Sequence, residues 1–292
     1  MLRKPAPYLY ILPALVLFAV IILLPAAGTF FLSFFNWSGI GRDMQLVGLE
    51  NYRAAFREGS YFMLSIRNNL VYLVATLIVE MCFGLAMALV LDFKLRFFGV
   101  FRVLFFSPMV LSMMPVGLLW RFVYSPEIGI LNGALNAIGL GSLARPWLGE
   151  PQTALYAVCL VSGWRYAGFY MILFYAGLQR IPKQLYESAR MDGATDIGCF
   201  RHVSLPLLRE VFVVCVLLCA AGAFQAFDLI YAMTGGKPYH STEVVATWLV
   251  DVAFTHNRYG HGSALAVMMT LIVFAIAVTY HLYARRREVI EY

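Results

Sequence analysis

Apolar residues in this chain run on for far longer than a half-buried strand or a core helix requires. Six such runs stand out, at residues 8–35, 66–91, 101–124, 153–178, 211–233 and 263–284. A helix needs about 20 consecutive apolar residues to cross the hydrocarbon core of a bilayer. Barrel strands would instead alternate over segments of about 10 residues, and a stretch such as YLYILPALVLFAVIILL does not alternate. The pattern predicts an all-α integral membrane protein with six transmembrane helices, forming a single domain over residues 1–292.

The polar interruptions predict shorter elements. Between the first two runs, LENYRAAFRE reads as a short surface helix, and the Gly- and Pro-containing stretch 125–152 as an irregular cap over the bundle. Ser241 or Thr242 is placed to cap the helix TEVVATWLVDVAF, which is too short to span. The longest polar interruption is YESARMDGATDIGCFRHVSLPLLRE, within a loop at about 180–209. Pro182 suits a first helical position, Gly193 the left-handed residue that ends a helix, Thr195 or Asp196 the cap of a second, and Pro206 a turn into the next span. Ser188, Ala189 and Gly193 are small enough for a partner backbone to approach, and Leu185, Tyr186 and Met191 offer apolar contact. By residue type alone this loop reads either as an amphipathic hairpin lying on the membrane or as a docking element.

Composition agrees with a membrane class: 61% of residues are hydrophobic and 13% charged, and the mean hydropathy is +0.75. The net charge of +6 matters through its placement. Arg3 and Lys4, Lys94, Arg96 and Arg102, the basic residues from Arg180 to Arg209, and Arg285, Arg286 and Arg287 fall on one side of a six-span arrangement. Fewer fall on the other, Arg42 and Lys237 among them, so the positive-inside bias places both termini in the cytoplasm. No contiguous basic face with interleaved aromatics is present, which argues against nucleic acid. The first apolar run exceeds the 7–15 residues of a signal-peptide core, so an uncleaved first span is expected. The five cysteines form no Cys-x-x-Cys pair, and neither a disulfide framework nor a metal site is indicated.

Ionisable groups inside a span are costly and usually mark a pathway or a pair. Here they are Glu80, Arg165 and Asp228, with Arg121 near enough to the outer surface to snorkel. Glu80 and Arg165 read equally as a structural ion pair and as substrate contacts. Gln225 and Asp228, three apart on a helical fifth span, would share a face able to hydrogen-bond sugar hydroxyls, and Trp164, Tyr166 or Tyr170 could stack on a sugar ring. Ordinary packing is the default for aromatics in so apolar a chain. No histidine pairs with a glutamate in a metalloprotease pattern, and no nucleophile constellation supports an enzyme. A proton-coupled secondary carrier is the alternative from another class, since Glu80 and Asp228 could relay protons, although no inverted repeat is visible.

Glu187, Ser188 and Ala189, then Gly193 after three residues, then Val203, Leu205 and Pro206 after nine more, resemble the EAA loop of ATP-binding-cassette importer permeases. The departures are Ser188 for Ala and Val203 for Ile. GLQRIPKQLYESARMDGA, FDLIYAMTGGKP and YGHGSALAV are similar to binding-protein-dependent sugar permeases of the maltose and glycerol phosphate type, and the likeness extends over most of the chain. The resemblance implies a type I importer permease fold in a bacterial or archaeal cytoplasmic membrane, moving a carbohydrate, or alternatively glycerol phosphate or a polyol. It implies a coupling role for Tyr186, Glu187, Ser188, Ala189, Asp192, Gly193, Ala194, Val203, Leu205 and Pro206. The partners it implies are a second homologous permease subunit, two copies of a cytoplasmic ATPase and an extracytoplasmic solute-binding protein. The chain has no phosphate-binding loop, since Gly235-Gly236-Lys237 is followed by Pro238. ATP and Mg are therefore expected on the partner ATPase, with no cofactor on this chain.

Overall fold

The computed structural model describes residues 6–41, 43–57, 59–92 and 98–285. Arg3, Lys4, Arg42, Lys94, Arg96, Arg286 and Arg287, which carry part of the charge-bias argument, lie outside the described residues. In chain order the elements begin with α1 (Ala6–Phe18), α2 (Leu24–Leu32), the strands β1 (Phe35–Asn36) and β2 (Gln45–Leu46), α3 (Glu50–Ala54) and α4 (Phe62–Asp92). There follow α5 (Phe98–Val110), α6 (Met113–Val123), α7 (Ile130–Ala137), α8 (Ala154–Gln179), α9 (Lys183–Met191), α10 (Asp196–Cys199) and α11 (Leu205–Leu207). The last are α12 (Arg209–Phe224), α13 (Asp228–Met233), α14 (Val245–Val250) and α15 (Tyr259–Arg285).

Among the described residues, four helices are long and apolar enough to cross a membrane: Tyr10–Leu32, Phe62–Asp92, Ala154–Gln179 and Tyr259–Thr279. Two bent pairs bring the number to six if each is one span: Gly99–Val110 with Met113–Val123, bent by 99°, and Asp196–Leu207 with Arg209–Phe224, bent by 62°. The third apolar run is thus a broken helix rather than the straight one expected. Its break precedes Pro115, whose ring has no N–H to donate and would meet the carbonyl of residue 111 in an unbroken helix. Ser112 is accordingly extended, at ψ 143°.

The chain forms two compact units. One comprises residues 1–63 and 248–274. In it α1 and α2 run on through a π-turn at Ala19–Leu23, just ahead of Pro25, where the wider turn accommodates the missing donor. The two short strands pair antiparallel, Phe35 with Leu46 and Asn36 with Gln45. The buried Asn51 amide donates to the carbonyls of Ser33 (2.9 Å) and Phe35 (2.8 Å), which ties the hairpin to α3. The expected helix in LENYRAAFRE is this α3, shortened to one turn and a half.

The other unit comprises residues 64–247 and 275–292, and α8 is its centre. Two-thirds (67%) of the apolar window of α8 is buried, against 28% for α4, so α8 is covered on most of its surface, leaving a narrow stripe at Tyr156, Leu160 and Trp164, while α4 keeps a wider outer face for lipid or a partner. Gly163 and Gly168 make this possible: a Cβ at Gly168 would lie 2.1 Å from the Phe105 carbonyl oxygen, and one at Gly163 2.1 Å from a Val79 methyl. The α5 and α4 backbones therefore approach α8 closely, as small residues permit between membrane helices.

The fifth run departs most from expectation. Its helix α12 stops at Phe224, the chain turns irregularly through residues 225–227, and α13 restarts at Asp228. Asn69, on α4, holds this break: its Nδ2 donates to the Ala223 carbonyl (2.8 Å) and its Oδ1 accepts from the Val245 amide (2.9 Å). Its neighbour Asn68 donates to the Glu243 carbonyl at 2.8 Å. Neither Ser241 nor Thr242 caps α14; Thr242 donates instead to the Lys237 carbonyl, and the first amide of α14 is taken by Asn69. Replacing Asn69 with Ala is expected to orphan both backbone groups and lower stability by about 1–2 kcal/mol. Thermal denaturation of the purified protein in nanodiscs checks this, with Asn69→Gln as the variant that keeps the amide chemistry.

Candidate functional site

A cavity of about 450 Å³ opens where the two broken helices meet α4 and α8. Tyr72, Thr76 and Glu80 reach it from α4, Ser162, Arg165, Tyr166, Phe169 and Tyr170 from α8, and Met109 and Met113 from either side of the α5–α6 break. Cys219, Gly222, Gln225 and Asp228 complete the lining across the α12–α13 break. Five of the six residues expected along a substrate path, Glu80, Arg165, Tyr170, Gln225 and Asp228, therefore share one cavity. Trp164 does not: it is absent from the lining and packs edge-on against Trp120, with ring centroids 5.5 Å apart. Two residues further on, Tyr166 lines the cavity in its place.

The polar groups divide by depth. Glu80 is 3% exposed and shares the lining with Tyr170, Ser162 and Cys219. Gln225 and Asp228 are exposed at the mouth. They do not sit on one continuous helix as the spacing suggested; Gln225 ends α12 and Asp228 opens α13, so the break itself turns both toward the cavity.

Arg165 forms no ion pair with Glu80 among the described residues. Its Nη2 donates to the carbonyls of Met109 (3.1 Å) and Leu111 (2.8 Å), the groups set free where α5 ends. A cation suits a helix C-terminus, where unpaired carbonyls concentrate negative partial charge. Its Nε is buried without a hydrogen-bond partner. Together the lining offers carboxylates, an amide, hydroxyls, a guanidinium N–H and aromatic faces, a set that suits a polyhydroxylated solute.

The polar loop is a rigid two-helix hairpin. Helix α9 ends in a Schellman arrangement: Gly193, at φ +84°, donates to the Arg190 carbonyl (3.0 Å) and Ala194 to that of Ala189 (2.9 Å). Thr195 then caps α10 by accepting from the Gly198 amide at 3.2 Å. Pro182 precedes α9 as its cap rather than beginning it. The two arms are tied by Tyr186 Oη to Ser204 Oγ (2.9 Å) and by Arg190 to Asp196 (3.1 Å). A π-turn at Phe200–Ser204 leads into Leu205 and Pro206, as the one in the first span leads to Pro25.

Glu187, Ser188, Asp192, Gly193, Leu205 and Pro206 are exposed, while Tyr186, Ala189, Ala194 and Val203 are partly covered and fix the hairpin. At its tip Met191 is 89% and Ile197 79% exposed. Ile197 escaped the sequence reading because nothing in its spacing marks it; only the elbow at Gly193 aligns it with Met191 as exposed apolar groups.

The sequence profile of the binding-protein-dependent transport system inner membrane components matches residues 80–289. The chain belongs to this family. The probable ABC transporter permease protein YurN of Bacillus subtilis (strain 168) is 39% identical over 278 residues, covering 94% of each chain. The trehalose/maltose transport system permease protein MalF of Thermococcus litoralis is 31% identical, covering 94% of this permease and 91% of that protein. The crystal structure of a bacterial alginate ABC transporter in complex with an alginate pentasaccharide-bound periplasmic protein shares the fold at a TM-score of 0.82 and 22% identity, covering 96% of this chain and 94% of that one.

The break between α5 and α6 gives a direct test of Arg165. Spin labels at Val103 and Leu119, both exposed, report the angle between α5 and α6. Arg165→Met is expected to broaden that distance distribution, and Arg165→Lys, which retains a cation for the carbonyls, to restore most of it.

Proposed function

We propose that this chain is the transmembrane permease subunit of an ATP-driven importer that translocates a carbohydrate handed over by an extracytoplasmic binding protein. The observation that carries the proposal is the exposed hairpin of residues 183–207. Its family-type sequence is folded into a braced element with a small-residue elbow, a Glu187 that forms no ion pair among the described residues and two exposed apolar side chains. A hairpin merely resting on lipid needs no such bracing, whereas a lever must move as one body.

In this reading the hairpin inserts into a cleft of a cytoplasmic ATPase, which binds ATP and Mg. Hydrolysis there moves α9 to α12, and the movement reaches the cavity through the α12–α13 break. The spans number six, each bent pair counting as one, with both termini in the cytoplasm of a bacterium or archaeon. Residues 1–292 work as one transporter domain beside a second homologous permease, with two ATPase copies below. The names of relatives support a carbohydrate cargo, and so does the mixed lining of the cavity: Asp228 and Gln225 meet hydroxyls at the mouth, and Tyr166 and Tyr170 offer ring faces deeper in.

Gly193→Val forces a branched side chain into the left-handed region and puts bulk at the elbow; Glu187→Lys reverses the charge offered to the ATPase. Either change is expected to detach the ATPase on co-purification, or to abolish its stimulation by loaded binding protein in proteoliposomes. Full association and stimulation in both variants sinks the lever reading.

Asp228→Asn and Gln225→Ala are expected to lower uptake about tenfold or more, the loss of one to two good hydrogen bonds, with the ATPase still bound. Orientation has its own readout. A cysteine at Gln184 should label only with membrane-permeant thiol reagents and one at Lys237 with impermeant reagents as well; the reverse pattern overturns the assigned sidedness.

A further inference from the structure

A second cavity, of about 400 Å³, lies apart from the one described above, between the end of α6, residues 146–149 and the turn after α13. Its charged lining residues are Arg121 and Lys237. Neither forms an ion pair among the described residues, and the acids nearest to the lining in sequence, Glu127 and Glu150, neither line the cavity nor pair with them. Two cations facing one hollow with no acid between them repel each other, an arrangement that an incoming anion relieves.

The walls are braced before anything binds. Tyr124, which lines the cavity, donates its hydroxyl proton to the Ala157 carbonyl at 3.2 Å. Buried Asn132 accepts from Trp147 Nε1 (2.8 Å) and donates to the Arg145 carbonyl (3.1 Å), which fixes the segment carrying Pro146, Leu148 and Gly149. The backbone of Lys237 is held twice, its amide donating to the Thr234 carbonyl (3.1 Å) and its carbonyl accepting from Thr242 (3.0 Å).

Just past Lys237, Tyr239 and His240 both adopt left-handed backbone, at φ 49° and 57°. The His240 ring bonds the buried Glu243 carboxylate at 2.9 Å, and the Tyr239 side chain is left 87% exposed. Non-glycine residues hold such conformations only where their surroundings impose them, and these cluster at binding surfaces. An exposed Tyr two residues past Lys237 is of the kind enriched in protein contacts.

We propose that this cavity receives a carboxylate side chain of the extracytoplasmic binding protein, clasped between the Arg121 guanidinium and the Lys237 ammonium. The proposal rests on the importer reading and its sidedness. Guanidinium takes a carboxylate in two parallel hydrogen bonds and fixes its plane, while the lysine adds a mobile point charge. A contact of this kind sets the orientation in which the binding protein docks and speeds its approach at low salt. A free acidic sugar has the same charge chemistry, but the exposed tyrosine two residues past Lys237 favours a macromolecular partner.

The test uses the complete transporter in nanodiscs and its binding protein in solution, with affinity measured from low to high salt. Arg121→Gln and Lys237→Met are each expected to weaken binding about tenfold and to flatten its salt dependence. Lys237→Glu should recover affinity when one surface Asp or Glu of the binding protein is changed to Lys. Melting temperatures of the variants check folding, and Lys237, on an exposed turn, can be changed without touching a helix. Wild-type affinity and salt dependence in both neutral variants overturns the proposal. So does unchanged binding-protein affinity accompanied by selective loss of uptake of uronate-bearing sugars, which would assign the cavity to a small anion. Failure of the unaltered transporter to bind its binding protein at all would instead overturn the importer reading.

Discussion

A backbone carbonyl released from a helix inside a bilayer has no water to turn to, so each break in a span needs a partner built in from elsewhere in the protein. This permease breaks two of its apolar runs and answers each break with a side chain from a neighbouring unbroken helix. Arg165 of α8 takes the carbonyls of Met109 and Leu111. Asn69 of α4 takes that of Ala223 and, with its other end, the first amide of α14. The straight helices serve as posts on which the bent ones hang. Gly163 and Gly168 bring those posts close enough for the side chains to reach.

The cavity follows from the breaks. A bundle of six straight helices would pack its interior with side chains, whereas turning α5 from α6 by 99° and interrupting α12 before α13 leaves a hollow walled by four elements. The same geometry sorts its polar groups, with Glu80 enclosed among hydroxyl and thiol donors and Gln225 and Asp228 placed at the opening. Arg165 belongs to both functions at once. It holds the bend and lines the cavity that the bend creates.

At the other end of α12 the chain is built for rigidity. The Schellman elbow, the Thr195 cap, the Tyr186–Ser204 bond and the Arg190–Asp196 pair leave the hairpin few ways to deform. The helix that leaves this hairpin is the one that ends at the cavity, so a displacement of the hairpin and a change in the cavity are linked through the 16 residues of α12. A structure that is stiff between two sites and jointed at its ends passes on motion with little loss.

The sequence by itself determined the membrane class, the six apolar runs, the two-helix loop and its turn residues, because these depend on run length and on local backbone chemistry. Gly193 was marked for the left-handed region, and Thr195 or Asp196 for the cap, wherever the loop lay. It also singled out Glu80, Arg165 and Asp228, since a charge inside an apolar run is conspicuous without a neighbour to explain it. The tertiary structure alone decided what those charges touch. Arg165 and Glu80 read equally as a pair and as substrate contacts, yet the guanidinium goes to carbonyls that exist as free acceptors only because α5 stops beside it. Trp164 and Tyr166 were indistinguishable as stacking candidates until the rotation of α8 turned one toward Trp120 and the other into the cavity. Asn68 and Asn69 could have been flagged as amides inside an apolar run, but their partners lie more than 150 residues away in sequence, and no local pattern encodes a contact of that range.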